Sequence, residues 1–385
     1  MSELPATSIS EHFATLPDPR RDHTKQHQLL DIITIALCAV LCGADDWVAV
    51  VTFGTSKKTW LQTFLALPGG IPSHDTFGRV FALLDPEELR RCFLSWVEAV
   101  AGAPGEQVVA IDGKTLRGSH DRQRGKSGLH LVSAWATESN LVLAQEAVEA
   151  KSNEITAIPA LLKLLSLEGA TVTIDAMGCQ TAIAAQVVEQ RADYVLALKD
   201  NHPALHERVR QTFADADAAT GSPTLLLADL APHDTTDKNH GRVERRRCRV
   251  IGDPDYLAFI DPDHRWANLN SVICITSTRQ VGDTTTTEDR HYLSSLPPDA
   301  AKLAHIIRSH WGIENRLHWV LDVAFHEDAS RIRVGHAPQN LAVIRHLALN
   351  LLRQDTSSRA SISAKRFRAA LDDTYLCSLL ASLSA

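Results

Sequence analysis

The 385-residue chain has little of what would mark several common classes of protein. Its seven cysteines form no paired CxxC motif, which argues against a disulfide framework and against a zinc ribbon. The longest apolar stretch, residues 32–42, is shorter than the ~20 residues that a membrane-spanning helix needs. The N-terminus lacks a basic segment followed by an apolar one, the pattern of a secretory signal. We therefore expect a cytoplasmic protein that makes no contact with a membrane.

The chain also has fewer basic than acidic residues. The 39 Lys and Arg residues are outnumbered by 46 Asp and Glu residues, which gives a net charge of -7 and argues against non-specific coating of nucleic acid. Two segments nevertheless supply local basic surface. In residues 242–249, strand alternation is expected to place Arg245, Arg247 and Arg249 on one face for phosphate contact. The tail segment is either a solvated surface or a DNA contact through Arg359, Lys365, Arg366 and Arg368.

Residues 1–103 are predicted to form a helical domain. LLDIITIALCAVLCGAD is an apolar helix that Gly43 ends, and PEELRRCFLSWVEAVAG is another helix. Between them, Ser73 is a predicted N-cap. The helix that it begins is either a plain member of a small bundle or a DNA-reading helix, with the outward residues His74, Asp75 and Arg79.

Residues 104–355 are predicted to form an α/β domain. VVAIDG, LHLVSAWAT and LVLAQEAVEA are three strand patterns, and helix, strand, helix and strand patterns follow over residues 153–199. This is the element order of the ribonuclease-H-like fold, a mixed sheet flanked by helices. Further strand patterns, among them LLLADL and VERRRCRVI, predict a β-rich insertion at about 217–298. Residues 356–385 are predicted to form a C-terminal helical tail.

Three acidic residues stand where a two-metal site in this fold needs them. Asp112 and Asp175 each end a strand pattern, and Glu314 lies in the helical stretch HIIRSHWGIENRLHWVLDV. Carboxylates so placed can converge on two divalent cations, which promote in-line attack on a phosphodiester. Oxygen ligands suit Mg²⁺, with Mn²⁺ as its substitute. The pattern therefore indicates an enzyme that acts on nucleic acid.

The helix around Glu314 leaves other interpretations open. His310, Glu314 and His318 share a helical face, but their order and span are poor for a zinc site. Trp311 and Trp319 are expected to pack this helix onto the sheet. If the helix register differs, the third acid would be one of Asp322, Glu327 and Asp328.

Cationic and polar residues near these acids are predicted to contact DNA phosphates. Lys114 follows Asp112 along the chain, and Lys199 and Asn201 follow the fifth strand at the same edge of the sheet. The alternative for either lysine is an ordinary exposed side chain. Further predicted DNA contacts are Arg242, Arg245, Arg247, Arg308, His310 and Arg316.

These segments resemble a known family over nearly the full length of the chain. VVAIDGKTLRGS, VTIDAMGCQTAIA, ADYVLALKDNHP and RSHWGIENRLHWVLDVAFHEDASR resemble the H-repeat-associated transposases of bacterial insertion sequences. The resemblance implies a DDE transposase in which Asp112, Asp175 and Glu314 are the catalytic and metal-binding residues. Related transposases often carry Tyr, Arg and Lys around that Glu, where this chain has Ile307, His310 and Leu321.

The resemblance also implies an activity and partners. It implies metal-dependent hydrolysis at the ends of a mobile element, followed by transfer of the exposed 3'-hydroxyl into target DNA. The expected partners are the terminal inverted repeats, target DNA and a second copy of the chain, because two ends must be joined. Two alternatives stay open: a ribonuclease-H-like nuclease without strand transfer, and a degenerate relative that binds DNA and has lost catalysis.

Overall fold

The computed structural model describes residues 7–101, 105–121, 125, 127–148, 152–218, 232–239 and 241–381. A mixed nine-stranded sheet with helices packed around it dominates this part of the chain. None of the helices described there combines the length and the apolar composition that crossing a membrane requires.

The N-terminal segment is helical, as predicted. Ser73 accepts a hydrogen bond from the Thr76 amide and so caps α5, whose residues Phe77, Val80 and Phe81 are buried. Gly43 adopts a φ of 104° directly after α2, a conformation that favours glycine and ends the helix. The six helices are α1 (Thr7–Phe13), α2 (Leu29–Leu41), α3 (Trp47–Ser56), α4 (Lys58–Leu61), α5 (His74–Leu83) and α6 (Pro86–Ala101).

The first five strands have the order and directions of a ribonuclease-H-like sheet, so that prediction is confirmed. The spatial order is β3-β2-β1-β4-β5; β1 to β3 are antiparallel, and β4 runs parallel to both β1 and β5. Helices α7 (Glu154–Leu162) and α8 (Thr181–Glu189) form the crossovers. The strands are β1 (Val108–Leu116), β2 (Leu129–Ala136), β3 (Leu141–Ala147), β4 (Thr171–Ile174) and β5 (Asp193–Leu198).

The β-rich segment continues the same sheet. Its last strand, β9, pairs antiparallel with β5, and β8, β7 and β6 follow outward. Strand β6 was not predicted from the sequence, and the predicted strand LLLADL lies outside the described residues. The elements are α9 (Pro203–Ala218), β6 (His233–Asn239), β7 (Arg242–Ile251), α10 (Pro254–Ile260), β8 (Ser271–Val281) and β9 (Thr284–Ser294).

The C-terminal part is helical, and its central helix lies in the main core. Buried apolar residues of the N-terminal helices, of the sheet and of α13 belong to one cluster, while the division into three domains stays a prediction. The elements are α11 (Ala300–Gly312), a π-helical turn (Ile313–His318), α12 (Trp319–Phe325), α13 (Ala337–Gln354), α14 (Ile362–Leu371) and α15 (Asp373–Ala381).

The predicted basic surface of the tail is wrong for two of its four residues. Lys365 is buried and donates hydrogen bonds to the carbonyls of Leu352 and Asp355. Arg366 is buried, donates to the Val40 carbonyl, and lies over the Phe325 ring. Both cations satisfy carbonyls near helix ends, which have no partner within their own helix. Their charge is therefore used inside the fold.

One side chain protects the outer edge of the sheet at β3. Asn350 of α13 is fully buried; its Oδ1 accepts from the Val142 amide at 2.8 Å, and its Nδ2 donates to the Val142 carbonyl at 2.9 Å. An unpaired strand edge exposes backbone donors and acceptors. The amide therefore satisfies both backbone groups of Val142 on this edge strand from a helix.

We predict that Asn350→Leu lowers the free energy of unfolding by about 3 kcal/mol, because two buried backbone groups lose their partners. Urea unfolding followed by circular dichroism measures the loss. The control is Gln62→Leu, which removes an exposed amide and is expected to change stability by less than ~0.5 kcal/mol. Equal stability of the two variants would contradict this role of Asn350.

Candidate active site

Two of the three predicted acids are brought together by neighbouring parallel strands. Ile111 of β1 is aligned with Ile174 of β4, so the residues that follow them, Asp112 and Asp175, lie side by side. Asp175 directly follows β4, as predicted, whereas β1 continues beyond Asp112 to Leu116. Together with Glu314, these acids line one cavity of about 260 Å³.

The third acid lies on a π-helical turn, Ile313–His318, between α11 and α12. Such turns are rare and frequently occur at functional sites. Glu314 of this turn lines the same cavity as Asp112, close enough for the charge of Asp112 to raise its pKa in addition to the effect of burial. His318 is buried, and its Nε2 lies 3.3 Å from Oδ2 of Asp112, within ion-pair distance but without hydrogen-bond alignment. The turn thus directs two side chains of one helix at Asp112.

The three carboxylates differ in their affinity for protons. Burial raises the pKa of Asp112, but the neighbouring His318 outweighs it, so the pKa lies below its ordinary value. Burial, followed by the charge of Asp112, raises the pKa of Glu314. Burial also raises the pKa of Asp175, against the opposing effect of a backbone hydrogen bond from Gly178. Of these two neighbouring carboxyls, Glu314 therefore has the higher affinity for a proton.

The chemistry of these side chains, rather than their placement, suits a divalent cation. Among the described residues, no group of three His, Cys, Asp or Glu side chains is placed so that it could hold a metal ion. The carboxylates Asp112, Asp175 and Glu314 are hard oxygen ligands of the kind that Mg²⁺ prefers. Their mutual repulsion, visible in the raised pKa of Glu314, is what a bound cation relieves.

Three of the predicted phosphate contacts lie at or beside this cavity. Lys199 is exposed and lines it. Asn201 donates a hydrogen bond to the Ala176 carbonyl at 2.6 Å and so supports the loop after Asp175. His310 lines the cavity with its Nδ1 2.9 Å from Oγ1 of Thr173, and burial lowers its pKa. This shift favours the neutral form of His310.

Lys114 contacts carboxylates instead of standing exposed. Its side chain is 13% exposed; it forms an ion pair with Asp322, and its Nζ lies 3.2 Å from Glu327 and 3.9 Å from Asp328. Glu327 is itself 2% exposed and lies near Arg345. Asp322, Glu327 and Asp328 were the alternative third ligands in case the helix register differed. All three instead lie around Lys114.

The predicted arginine contacts lie in different places. Arg242 lines a second cavity next to the first, while strand alternation places Arg245 and Arg247 on the opposite face of β7. Arg247 forms an ion pair with Asp234. On α11 and the π-helical turn, Arg308 faces the second cavity, whereas Arg316 donates to Asn140 in the turn between β2 and β3.

The expectation that both tryptophans pack the helix onto the sheet is wrong. Trp311 is 42% exposed and Trp319 is 60% exposed, because the helix buries instead its neighbours Ile313 and Leu317. Arg290 lies over the Trp311 ring, 5.3 Å from the centroid. An apolar helix pattern identifies packing residues only when its register is regular.

The sequence interpretation missed two further residues beside the acids. Arg290 and Glu154 lie close to the site: Arg290 lines the cavity, and Glu154 lies so close to Gly113 that a Cβ there would meet its Oε1 at 2.1 Å. A signal for Arg290 could have been found in the strand RHYLSSL. Side chains alternate along a strand, so Arg290 lies on the same face as Tyr292, which also lines the cavity. No comparable signal marks Glu154.

A ribonuclease-H-like sheet that gathers two strand carboxylates and one helix carboxylate at a single cavity defines the DDE class. Residues 103–351 match the family described as "Transposase DDE domain", and residues 10–97 match the one described as "DDE_Tnp_1-associated". The chain belongs to the DDE transposase family.

Several relatives match nearly the whole chain. It is 38% identical to "Putative transposase YncI" of Escherichia coli O157:H7, over 98% of this chain and 95% of the relative. It is 37% identical to "H repeat-associated putative transposase YhhI" of E. coli (strain K12), over 97% of each chain. The H-repeat-associated resemblance is thereby confirmed. A solved piggyBac transposase complex with hairpin DNA overlays with a TM-score of 0.41 and 10% identity, over 98% of this chain and 78% of that one, which is too distant to carry an argument.

We predict that Lys114→Met lowers the free energy of unfolding by about 3 kcal/mol, because it leaves the buried Glu327 without this partner. The matched control is Lys199→Met, which removes an exposed lysine and is expected to change stability by less than ~0.5 kcal/mol. Urea unfolding of both variants measures the difference. A Lys114 variant as stable as the control would show that the cluster contributes nothing to folding.

Proposed function

We propose that this chain is a DNA transposase that hydrolyses a phosphodiester at each end of a mobile element and joins the exposed ends to target DNA. The convergence of Asp112, Asp175 and Glu314 on one cavity carries the proposal. Membership in the transposase family supports it. The exposed Lys199 lines the cavity together with the acids and supplies a positive charge that a phosphate can contact.

In this proposal, Asp112, Asp175 and Glu314 hold two Mg²⁺ ions, or Mn²⁺ in their place. When bound, such a pair activates an oxygen nucleophile and stabilises the leaving oxygen. His318 keeps Asp112 ionised and oriented. Lys199 contributes the positive charge that positions a phosphate, and neutral His310 offers a hydrogen bond in place of the arginine that related transposases carry.

The reaction proceeds in two transfers of the same kind. Hydrolysis at the element end breaks the phosphodiester and leaves a 3'-hydroxyl; attack by that hydroxyl on a target phosphodiester forms the new bond and releases a target 3'-hydroxyl. Neither transfer needs a covalent bond between the protein and DNA. We propose that a homodimer holds the paired ends and that the exposed face of α5, with His74, Asp75 and Arg79, contributes to recognition of the terminal repeats.

Purified protein with Mg²⁺ and labelled DNA from both flanks of its own gene is expected to give specific nicking and joining. Asp112→Asn, Asp175→Asn and Glu314→Gln are each expected to lower the rate at least ~100-fold, because each removes a ligand charge from the cations. The control Asp255→Asn changes an exposed acid on α10 and is expected to cleave normally.

Other outcomes of this assay identify the alternatives. Cleavage without joining would support a ribonuclease-H-like nuclease, and binding without cleavage would support a degenerate relative. Equal activity of the Asp112 and Asp255 variants would refute the assigned site.

A second prediction concerns the metal-free protein. Glu314 has a raised pKa, so its contribution to stability is present at low pH and is lost as the pH rises through that value. At pH 8 without divalent cations, Glu314→Gln is therefore expected to melt at a higher temperature than the wild type, by on the order of 1 °C.

Addition of Mg²⁺ is expected to reverse this order, because ligand binding stabilises only the protein that binds it. Differential scanning fluorimetry with EDTA or Mg²⁺ measures both shifts. The same Mg²⁺ increment in wild type and Glu314→Gln would show that Glu314 does not hold the cation.

A further inference from the structure

A second cavity adjoins the active-site cavity and opens along the β6–β9 extension. It has a volume of about 700 Å³, and its walls are α11 on one side and the strands β6 to β9 on the other. Four residues line both cavities: Arg290, Tyr292, Ile307 and Trp311. The two cavities thus form one path, which we call the extension groove.

The extension groove is positive although the chain as a whole is negative. Five arginines line it against three carboxylates, which gives a formal excess of two positive charges. The carboxylates hold arginine side chains in place: Asp237 pairs with Arg246 and Arg308, and Glu288 pairs with Arg290. Arginines oriented in this way can donate several hydrogen bonds to a phosphate with little further loss of side-chain freedom.

The junction between the two cavities carries exposed aromatic surface. Trp311 is 42% exposed, and the guanidinium of Arg290 lies over its ring. Aromatic rings next to a positive groove are characteristic of sites that bind unpaired nucleic acid, because every base has a face that stacks. A base pair within a duplex does not present that face.

From these observations we infer that the extension groove binds an unpaired DNA strand that leads away from the active site. Its volume is that of a small-ligand pocket, which suits a few nucleotides of one strand and not a duplex. The inference rests on the proposed function, since it names the form of DNA that reaches the same acids. It assigns the phosphate contacts to Arg242 and Arg279, whereas Arg245 and Arg247 of the same region face away.

The alternation of β7 supplies a matched control for the test. Arg242 and Arg279 line the groove on paired strands, and Arg245 and Arg247 lie on the opposite face of the sheet. The double variants Arg242→Gln/Arg279→Gln and Arg245→Gln/Arg247→Gln remove the same charge from the same extension. Melting temperatures of both establish that they fold.

Fluorescence anisotropy in EDTA compares a short fully paired duplex with the same duplex carrying an unpaired tail of about eight nucleotides. The wild type is expected to bind the tailed DNA more tightly. The Arg242→Gln/Arg279→Gln variant is expected to lose on the order of tenfold in affinity for tailed DNA. The slope of its log affinity against log salt concentration is expected to be shallower by about 1.4, or ~0.7 for each lost phosphate contact. The Arg245→Gln/Arg247→Gln variant is expected to keep the wild-type preference for tailed over fully paired DNA.

Photocross-linking provides an independent measurement. A 5-iodouracil placed in the tail is expected to cross-link to the segment that contains Trp311, since this base analogue reacts efficiently with aromatic side chains. Equal losses in the two double variants, or equal wild-type affinity for tailed and paired DNA, would overturn the groove assignment alone. Failure of the wild type to bind either DNA would count against the proposed function as well.

Discussion

Electrostatic repulsion among Asp112, Asp175 and Glu314 is the constraint on which the surrounding structure depends. Parallel pairing of β1 with β4 places two of these carboxylates side by side, and the π-helical turn brings the third against them. Burial and the charge of Asp112 raise the pKa of Glu314, and His318 lies beside Asp112. The fold thus places three carboxylates around one cavity, where burial and like charge favour their neutral forms.

Buried cations behind the site hold its two halves together. Lys114 lies two residues after Asp112 on β1, and its partners Asp322 and Glu327 follow Glu314 on the late helical segment. The ion cluster therefore ties the strand that carries one acid to the segment that carries another. Arg345 of α13 approaches Glu327 from the core. Lys114, which the sequence suggests for DNA contact, pairs with these carboxylates in the folded chain.

The sequence predicted the parts that follow from periodicity and chain order. The five-stranded sheet, its crossover helices and the adjacency of Asp112 and Asp175 all follow from alternating strand patterns. The pairing of the partly buried Lys114 with carboxylates could not be predicted, because its partners lie more than two hundred residues away. The exposure of Trp319 depends on the preceding π-helical turn, which leaves no periodic signal, since one extra residue in a turn shifts every later side chain.

The pairing of β5 with β9 has a consequence for how this family can vary in length. The extension is hydrogen-bonded to the active-site sheet along four successive antiparallel strands, so a single-residue insertion within β9 would move Arg290 and Tyr292 to the opposite face. Changes of length are tolerable only at the distal turns, such as the one at Gly282, where both strands of a hairpin lengthen together. Natural variants should therefore differ in how far the hairpins extend, while the residues beside β5 keep a constant count.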